Sequence, residues 1–325
     1  MGKIVSVGMI NCDIPLYKVP NDVKKYEVIQ TKPQRFIIGG DAVNVAMTTA
    51  KLGLQTVMSG RIGDDPHGHG AIEIMKNAGI NTSYIKVSEN DVTSTSCLLI
   101  YEDGSHSAIY FSSTVDKLSG ADVPEEIYEG VDVLYFGSAL TFPLMDNGGI
   151  TEIFSKAKEK GTVTIMDAAL RGDELPCSGE KAFDTLKTAF SVTDIFFPSL
   201  CEAEFLTGTS NPHDVAEKFK DTGVKLLGIK LGGKGCYVTD FNEEYYFQAY
   251  SCFDVVDTVG AGDSFVGGIV YGVTRKWNLV RMIEFASAVA GFNIQKVGAT
   301  AGVPNAVTVE NFINKNHLIF EKKLF

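Results

Sequence analysis

Asp257-Thr258-Val259-Gly260-Ala261-Gly262-Asp263-Ser264-Phe265 joins an apolar run, residues 253–256, to a stretch where Phe265, Val266, Ile269, Val270 and Val273 recur at helical spacing. The pattern predicts a strand, a turn of small residues and an amphipathic helix starting near Asp263. Small residues at a helix start leave backbone N–H groups unobstructed. Those amides and the positive end of the helix dipole make a hole for an anion. A carboxylate in the first turn can take a proton from a hydroxyl held above such a hole. Two readings fit the turn. One is a plain glycine turn with Asp263 as the N-cap. The other is an anion hole beside a base, the pairing that phosphoryl transfer requires.

Outward from this stretch, short apolar runs alternate with helical patterns, which predicts a parallel sheet covered on both faces. The expected central strands are residues 4–7, 56–59, 133–136, 163–166, 195–197 and 226–229. Ala42, Val43, Ala46 and Ala50 share one helical face, and a long helix is expected over 279–294. A hairpin, 236–239 with 244–248, extends one edge. Two segments break the alternation. Residues 93–101 and 106–111 read as strands around the turn Glu102-Asp103-Gly104-Ser105, and 13–36, with Pro15, Pro20 and Pro33, is extended and irregular. Together they predict a small antiparallel sheet over the cleft, a lid that keeps water from a transferring phosphoryl group. An exposed lid edge invites pairing of two lids into a homodimer.

The chain has 325 residues, 45% hydrophobic and 21% charged, enough to bury a large core. Its formal charge of −11 argues against a nucleic-acid partner and leaves an anionic ligand to be held by local devices. Cys12, Cys97, Cys177, Cys201, Cys236 and Cys252 form no CxxC pair, as expected of free thiols in a cytoplasmic protein. No apolar run reaches the roughly 20 residues of a membrane span. Met1-Gly2-Lys3-Ile4-Val5-Ser6 matches a loose myristoylation pattern, but residues 4–7 read as a core strand. His67 and His69 lack a third nearby ligand and read as a solvated loop. Gly232-Gly233-Lys234-Gly235 lacks the spacing and the Ser or Thr of a P-loop, and no GxGxxG follows the first strand. The aromatic run Tyr245, Tyr246, Phe247, Tyr250 reads as edge-strand packing, and Lys322-Lys323 as a solvated tail.

The nine-residue stretch closely resembles the C-terminal signature of the ribokinase family, the PfkB carbohydrate kinases. That family's other signature is matched by Gly39-Gly40-Asp41-Ala42-Val43-Asn44-Val45-Ala46, followed by Leu52-Gly53. Further likenesses run in order: Gly8-Met9-Ile10-Asn11-Cys12-Asp13, Gly63-Asp64-Asp65 with Gly68, Ser199-Leu200-Cys201-Glu202, and Lys230-Leu231-Gly232-Gly233-Lys234-Gly235. The resemblance fades after about residue 310. It implies one doubly wound α/β catalytic domain over residues 1–325, with a lid from about 13–36 and 91–111, and ATP-dependent phosphorylation of a hydroxyl on a small sugar. Asp263 would be the base, and Gly260, Ala261 and Gly262 the anion hole. Asn11, Asp13, Gly40, Asp41 and Asn44 would hold the sugar. Lys230, Gly232, Gly233 and Gly235 would line the nucleotide, Ser287 would lie near the adenine, and Ser199 and Glu202 would serve the magnesium–phosphate network. Asp257, Val259, Asn293, Lys296, Gly298 and Gly302 match positions that hold a monovalent cation, potassium, in many members.

The chain also departs from the family. Ser199 stands where an Asn is usual, and Asp41-Ala42 where ribokinases carry Lys-Gly. No acid follows residues 133–136, where ribokinases place a substrate-contacting Glu. Asp167-Ala168-Ala169-Leu170-Arg171 resembles the Asp-x-Asn-x-Arg segment of fructokinase-like and keto-deoxygluconate kinases without its Asn. An acid at 41 suits a polyol or an amine-bearing substrate and opposes a phosphorylated or carboxylated one, so ribose is not assigned. A nucleoside kinase, a catalytically silent sugar-binding or regulatory protein and, more distantly, a dinucleotide oxidoreductase stand as alternatives.

Overall fold

The computed structural model describes residues 2–31, 36–102, 105–170 and 177–325. Met1, Pro33, Asp103, Gly104 and Arg171, on which the readings above drew, lie outside the described residues. Along the chain come β1 (Lys3–Val7), β2 (Asn11–Val19), β3 (Ile37–Gly39), α1 (Asp41–Lys51), β4 (Gln55–Gly63), α2 (Pro66–Asn77) and β5 (Asn81–Ser88). Then follow β6 (Thr95–Tyr101), β7 (His106–Phe111), α3 (Ser113–Lys117), β8 (Val133–Ala139), α4 (Ile150–Glu159), β9 (Val163–Ala168), α5 (Gly179–Phe190) and β10 (Ile195–Phe196). The last part holds α6 (Leu200–Thr207), α7 (Pro212–Phe219), β11 (Leu226–Lys230), β12 (Cys236–Thr239), β13 (Glu243–Phe247), α8 (Ala261–Thr274), α9 (Leu279–Asn293), α10 (Ala306–Ile313) and β14 (Phe320–Leu324).

Ten strands make one sheet in the order β14-β13-β12-β11-β10-β9-β8-β1-β4-β5. From β11 to β5 every neighbouring pair is parallel, and β12, β13 and β14 are added antiparallel at one edge. Alternate side chains serve opposite faces. Ile4, Val133 and Tyr135 pack with Val43, Val266 and Ile283, whereas Val5, Leu134 and Phe136 pack with Ile153, Leu186 and Phe219. Burial on both faces is why the central runs read as apolar without alternation. The chain travels from β1 out to β4 and β5, then returns to β8 on the other side of β1. The strand order reverses there, and the crevice at the carboxyl ends of β1 and β8 is where such sheets bind ligands.

The second sheet, which the sequence predicts as a lid, has four strands in the order β3-β2-β6-β7. It is mixed rather than antiparallel, because β2 and β6 both leave the main domain outward and pair in parallel, Asp13 opposite Ser96. Its root is tied by Asp65. That carboxylate accepts from Gly68 N at 2.8 Å, capping α2, and from Thr93 N at 2.7 Å and Thr93 Oγ1 at 2.9 Å.

Three other expectations change. Residues 253–256 form no strand: the sheet edge they would join beyond β13 is taken by β14. Lys322 and Lys323 belong to that strand, and Lys322 Nζ meets Glu243 Oε1 at 2.7 Å. His67 and His69 lie on the first turns of α2, His67 stacked on Phe36 and His69 bonded to Asp64.

α8 passes α9 closely enough that a β-carbon on Gly268 would stand 2.5 Å from the Ala286 α-carbon. Overpacking of this kind costs about 1–3 kcal/mol. Gly268→Val is therefore expected to lower the unfolding free energy by about 1–3 kcal/mol, seen as a lower urea midpoint at unchanged slope. An unchanged midpoint would show that the two helices have room to part.

Candidate active site

Two helices begin at the crevice. α1 starts after Gly40, whose φ of 102° is open to glycine, and a β-carbon there would stand 2.5 Å from the Met9 carbonyl. α8 starts after Gly260, φ 69°, with no side-chain cap. Asp263 is thus the third residue of α8 and not its N-cap. Its Oδ2 accepts instead from Asn44 Nδ2 across the crevice at 2.7 Å, so the plain-turn reading fails. The Ala261 amide is turned to Thr258 O at 3.2 Å. This corrects the expected hole of Gly260, Ala261 and Gly262. Ala261 drops out, and among the described residues the N–H groups of Gly260 and Gly262, with that of Asp263 beside them, are left for an anion.

Lys230, the last residue of β11, extends its ammonium to the same place. Nζ lies 3.5 Å from where a β-carbon on Gly262 would be, and 2.7 Å from Asp167 Oδ2. Both side chains are withdrawn from solvent, 16% and 1% exposed, so this pair is not a solvent-screened surface bridge. Asp41 Oδ2 accepts from Ser138 Oγ at 2.6 Å across the point where the strand order reverses. Glu202 closes a capping box with Ser199: Oε2 accepts from Ser199 N at 2.6 Å, and Ser199 Oγ accepts from Glu202 N at 3.4 Å. The Ser199 hydroxyl also lies 3.1 Å from Cys201 Sγ.

Among the described residues, Lys230 is the cation that Asp41, Asp167, Glu202 and Asp263 share. One ammonium cannot balance four carboxylates. Burial, followed by the charge of Asp41, pushes Asp263 well above the usual carboxylate range, against the pull of Lys230 and Asn44. Burial lifts Asp167 to about 7 even beside Lys230. Burial alone would lower Lys230, but Asp167 and Glu202 outweigh it and its pKa rises, so the ammonium stays charged. The Tyr135 hydroxyl lies beneath this cluster, fully buried and without a hydrogen-bond partner.

On the lid side, Asn11 Nδ2 donates to Asp13 Oδ1 at 2.6 Å and to Ser96 Oγ at 2.7 Å. Asn11 Oδ1 is buried and has no donor. Burial raises Asp13, partly offset by its bonds to Ser96 and Asn11. Residues 232–234 form a single turn of 3₁₀ helix beyond Lys230 and end at Gly235, whose φ is 99°. Ser287 sits half-buried on α9. Asp257 and Asn293 tie the turn before α8 to residues 298–302. Reading the sequence missed Asp167, Ser138, Ser96 and Tyr135 as site residues. It also missed the capping box, although Ser-x-x-Glu is that motif's signature.

The profile of the pfkB family carbohydrate kinases matches residues 1–306. The chain is 27% identical to the ribokinase of Staphylococcus aureus, covering 93% of this chain and 96% of that protein. It is 29% identical to fructokinase-1 of Zea mays, with 85% and 88% covered. The ribokinase structure from Thermotoga maritima superposes with a TM-score of 0.78 at 26% identity, over 97% of this chain and 99% of that one. That of Arabidopsis thaliana ribokinase, complexed with ribose and ATP, does so with 0.81 at 24%, over 97% and 99%, a likeness of fold. The chain belongs to the pfkB family of carbohydrate kinases. It is accordingly a phosphotransferase that uses ATP to phosphorylate a sugar. Among the described residues, no helix is long and apolar enough to cross a membrane.

If Asp263 must be ionised to act, Lys230 matters for pH as well as for binding. Its charge holds the Asp263 pKa down, so removing it lets that pKa rise. Lys230→Met is expected to shift the acid limb of kcat/KM upward by about one pH unit or more, the usual effect of a close charge. A limb that stayed in place would disconnect Lys230 from the base.

Proposed function

We propose that the acceptor is an uncharged polyhydroxy compound, a sugar or polyol, and that Asp263 removes the proton from the hydroxyl that is phosphorylated. The observation that carries this reading is the position of Asp263. Its carboxylate stands in the first turn of α8, beside unbonded amides, with one oxygen fixed by Asn44. A hydroxyl docked there meets a base on one side and an anion hole on the other. Burial, followed by the charge of Asp41, raises the Asp263 pKa, and a raised pKa makes the ionised carboxylate a stronger proton acceptor. Asn11 Oδ1, buried without a donor, asks for a ligand hydroxyl, and Asp13, Ser96 and Asn44 offer further polar contacts. Asp13 and Asp41 oppose a phosphate or carboxylate on the acceptor, and Lys230 is committed to the phosphoryl side.

ATP would lie from Gly232, Gly233 and Gly235 toward Gly262, with Ser287 near its base and Lys230 against the transferring group. Among the described residues, no three His, Cys, Asp or Glu side chains form a metal cage. That suits magnesium, an ion held mainly by phosphates and water, with Glu202 and Asp167 as its nearby carboxylates. When bound, it neutralises phosphate charge. The lid strand β7 shows Ile109 and Phe111 to solvent on an open sheet edge, which favours pairing with the lid of a second copy.

Two measurements test these readings. ADP release is measured across pentoses, hexoses, polyols, sugar phosphates, sugar acids and nucleosides. The expected outcome is turnover of neutral sugars or polyols, with Asp263→Asn lowering kcat by roughly 10²–10⁴-fold while ATP binding persists. Preferred turnover of a nucleoside or a phosphorylated acceptor would replace the substrate reading, and a near wild-type Asp263→Asn rate would remove Asp263 as the base. For the lid, Ile109→Asp with Phe111→Asp is expected to halve the mass seen by sedimentation, and a wild-type monomer would end that proposal.

A further inference from the structure

The turn that opens the anion hole is held from behind by side-chain donors. Asn293, the last residue of α9, is fully buried. Its Nδ2 donates to Ala299 O at 2.8 Å and reaches Val259 O at 3.5 Å, while its Oδ1 accepts from Gly302 N at 3.2 Å. Asp257 adds Val259 N at 3.0 Å and Gly298 N at 2.9 Å. The Ala299 carbonyl in turn presses on Gly260: a β-carbon there would stand 2.1 Å from its oxygen. Any displacement of residues 298–302 therefore moves the first residue of the hole. On the far side, Lys51 at the end of α1 sets Nζ 2.5 Å from Thr300 O, with Lys296 nearby.

Backbone carbonyls beside a carboxylate are the ligands a monovalent cation takes, and the resemblance raised that expectation for these positions. The donor set does not fit it. Of the positions that expectation names, the Val259 carbonyl is reached by Asn293 Nδ2 at 3.5 Å, the Asn293 carbonyl accepts from Lys296 N at 3.2 Å, and the Gly298 carbonyl accepts from Ala301 N at 3.3 Å. The Asp257 oxygens accept from Val259 N and Gly298 N, and beside them the Ala299 and Thr300 carbonyls face an amide and an ammonium. We propose that Asn293 and Lys51 are positioning residues which hold residues 298–302 against Gly260, so that this kinase assembles its anion hole without a monovalent cation. The proposal rests on the kinase reading of that hole, and it assigns to two side chains a task that elsewhere calls for an ion.

The test compares wild type, Asn293→Ala and Lys51→Met in potassium, ammonium or tetramethylammonium chloride at equal ionic strength. Tetramethylammonium is too large for a carbonyl cage. Wild type is expected to change kcat by less than about twofold among the three salts, and its melting temperature not at all. Asn293→Ala is expected to lose about 10- to 100-fold in kcat in tetramethylammonium, the scale of a small misplacement of reacting groups. Potassium or ammonium should restore much of that loss and raise the variant's melting temperature. Wild type that needs potassium overturns the proposal and leaves the kinase reading intact. A loss in Asn293→Ala that neither cation restores shows a merely structural role and also overturns it. If Asn293→Ala does not fold, Lys51→Met carries the same comparison. If no acceptor is phosphorylated in any salt the kinase reading falls, while the melting temperatures still decide whether a cation binds this loop.

Discussion

Two helix starts face one crevice, and the hydrogen bond from Asn44 to Asp263 joins them. Neither α1 nor α8 has a side-chain cap, so both present unbonded amides and a positive dipole end to the same small volume. A cap of Ser or Asp would stabilise either helix by about 1 kcal/mol, and glycine gives that up. What the chain keeps is a pair of helix starts without side-chain caps at one crevice. The Asn44 bond fixes the Asp263 carboxylate between the two helix starts, the register that the proposed base and anion hole require.

Charge follows from that geometry. The chain carries a net −11, and its crevice concentrates Asp41, Asp167, Glu202 and Asp263 around the Lys230 ammonium. Long-range attraction cannot draw a nucleotide in, so on the proposed reading recognition falls to contacts within a few ångströms, from amides and one buried ammonium. Burial, followed by the charge of the neighbouring carboxylates, raises the Asp263 pKa.

The fold was legible wherever burial on both faces wrote an uninterrupted apolar run, as in the strands from β8 to β11. It was illegible where a strand depends on its neighbour. The run 253–256 looks like a strand but has no edge to join, whereas Phe320–Leu324, with Lys322 and Lys323, looks like a tail and pairs with β13. The lid's mixed pairing was hidden for a related reason, since the direction in which β2 and β6 leave the domain is a property of the whole chain. At the site, Asp263, Asn44 and Lys230 were found through their motifs. Asp167 heads a segment that resembles a family motif, but nothing local ties it to Lys230, and Ser138 carries no local signal because it matters through Asp41.

The crowding of acids has a consequence for how the cleft responds to its ligand. An anion that settles among these carboxylates makes each of them hold its proton more tightly, so its arrival draws protons from the solvent. Reciprocity requires the converse: mild acid tightens the hold on the nucleotide, and on the proposed role of Asp263 the same protons disarm the base. Grip and turnover are thus set against each other along one axis, and acidification would leave this protein loaded and idle rather than empty.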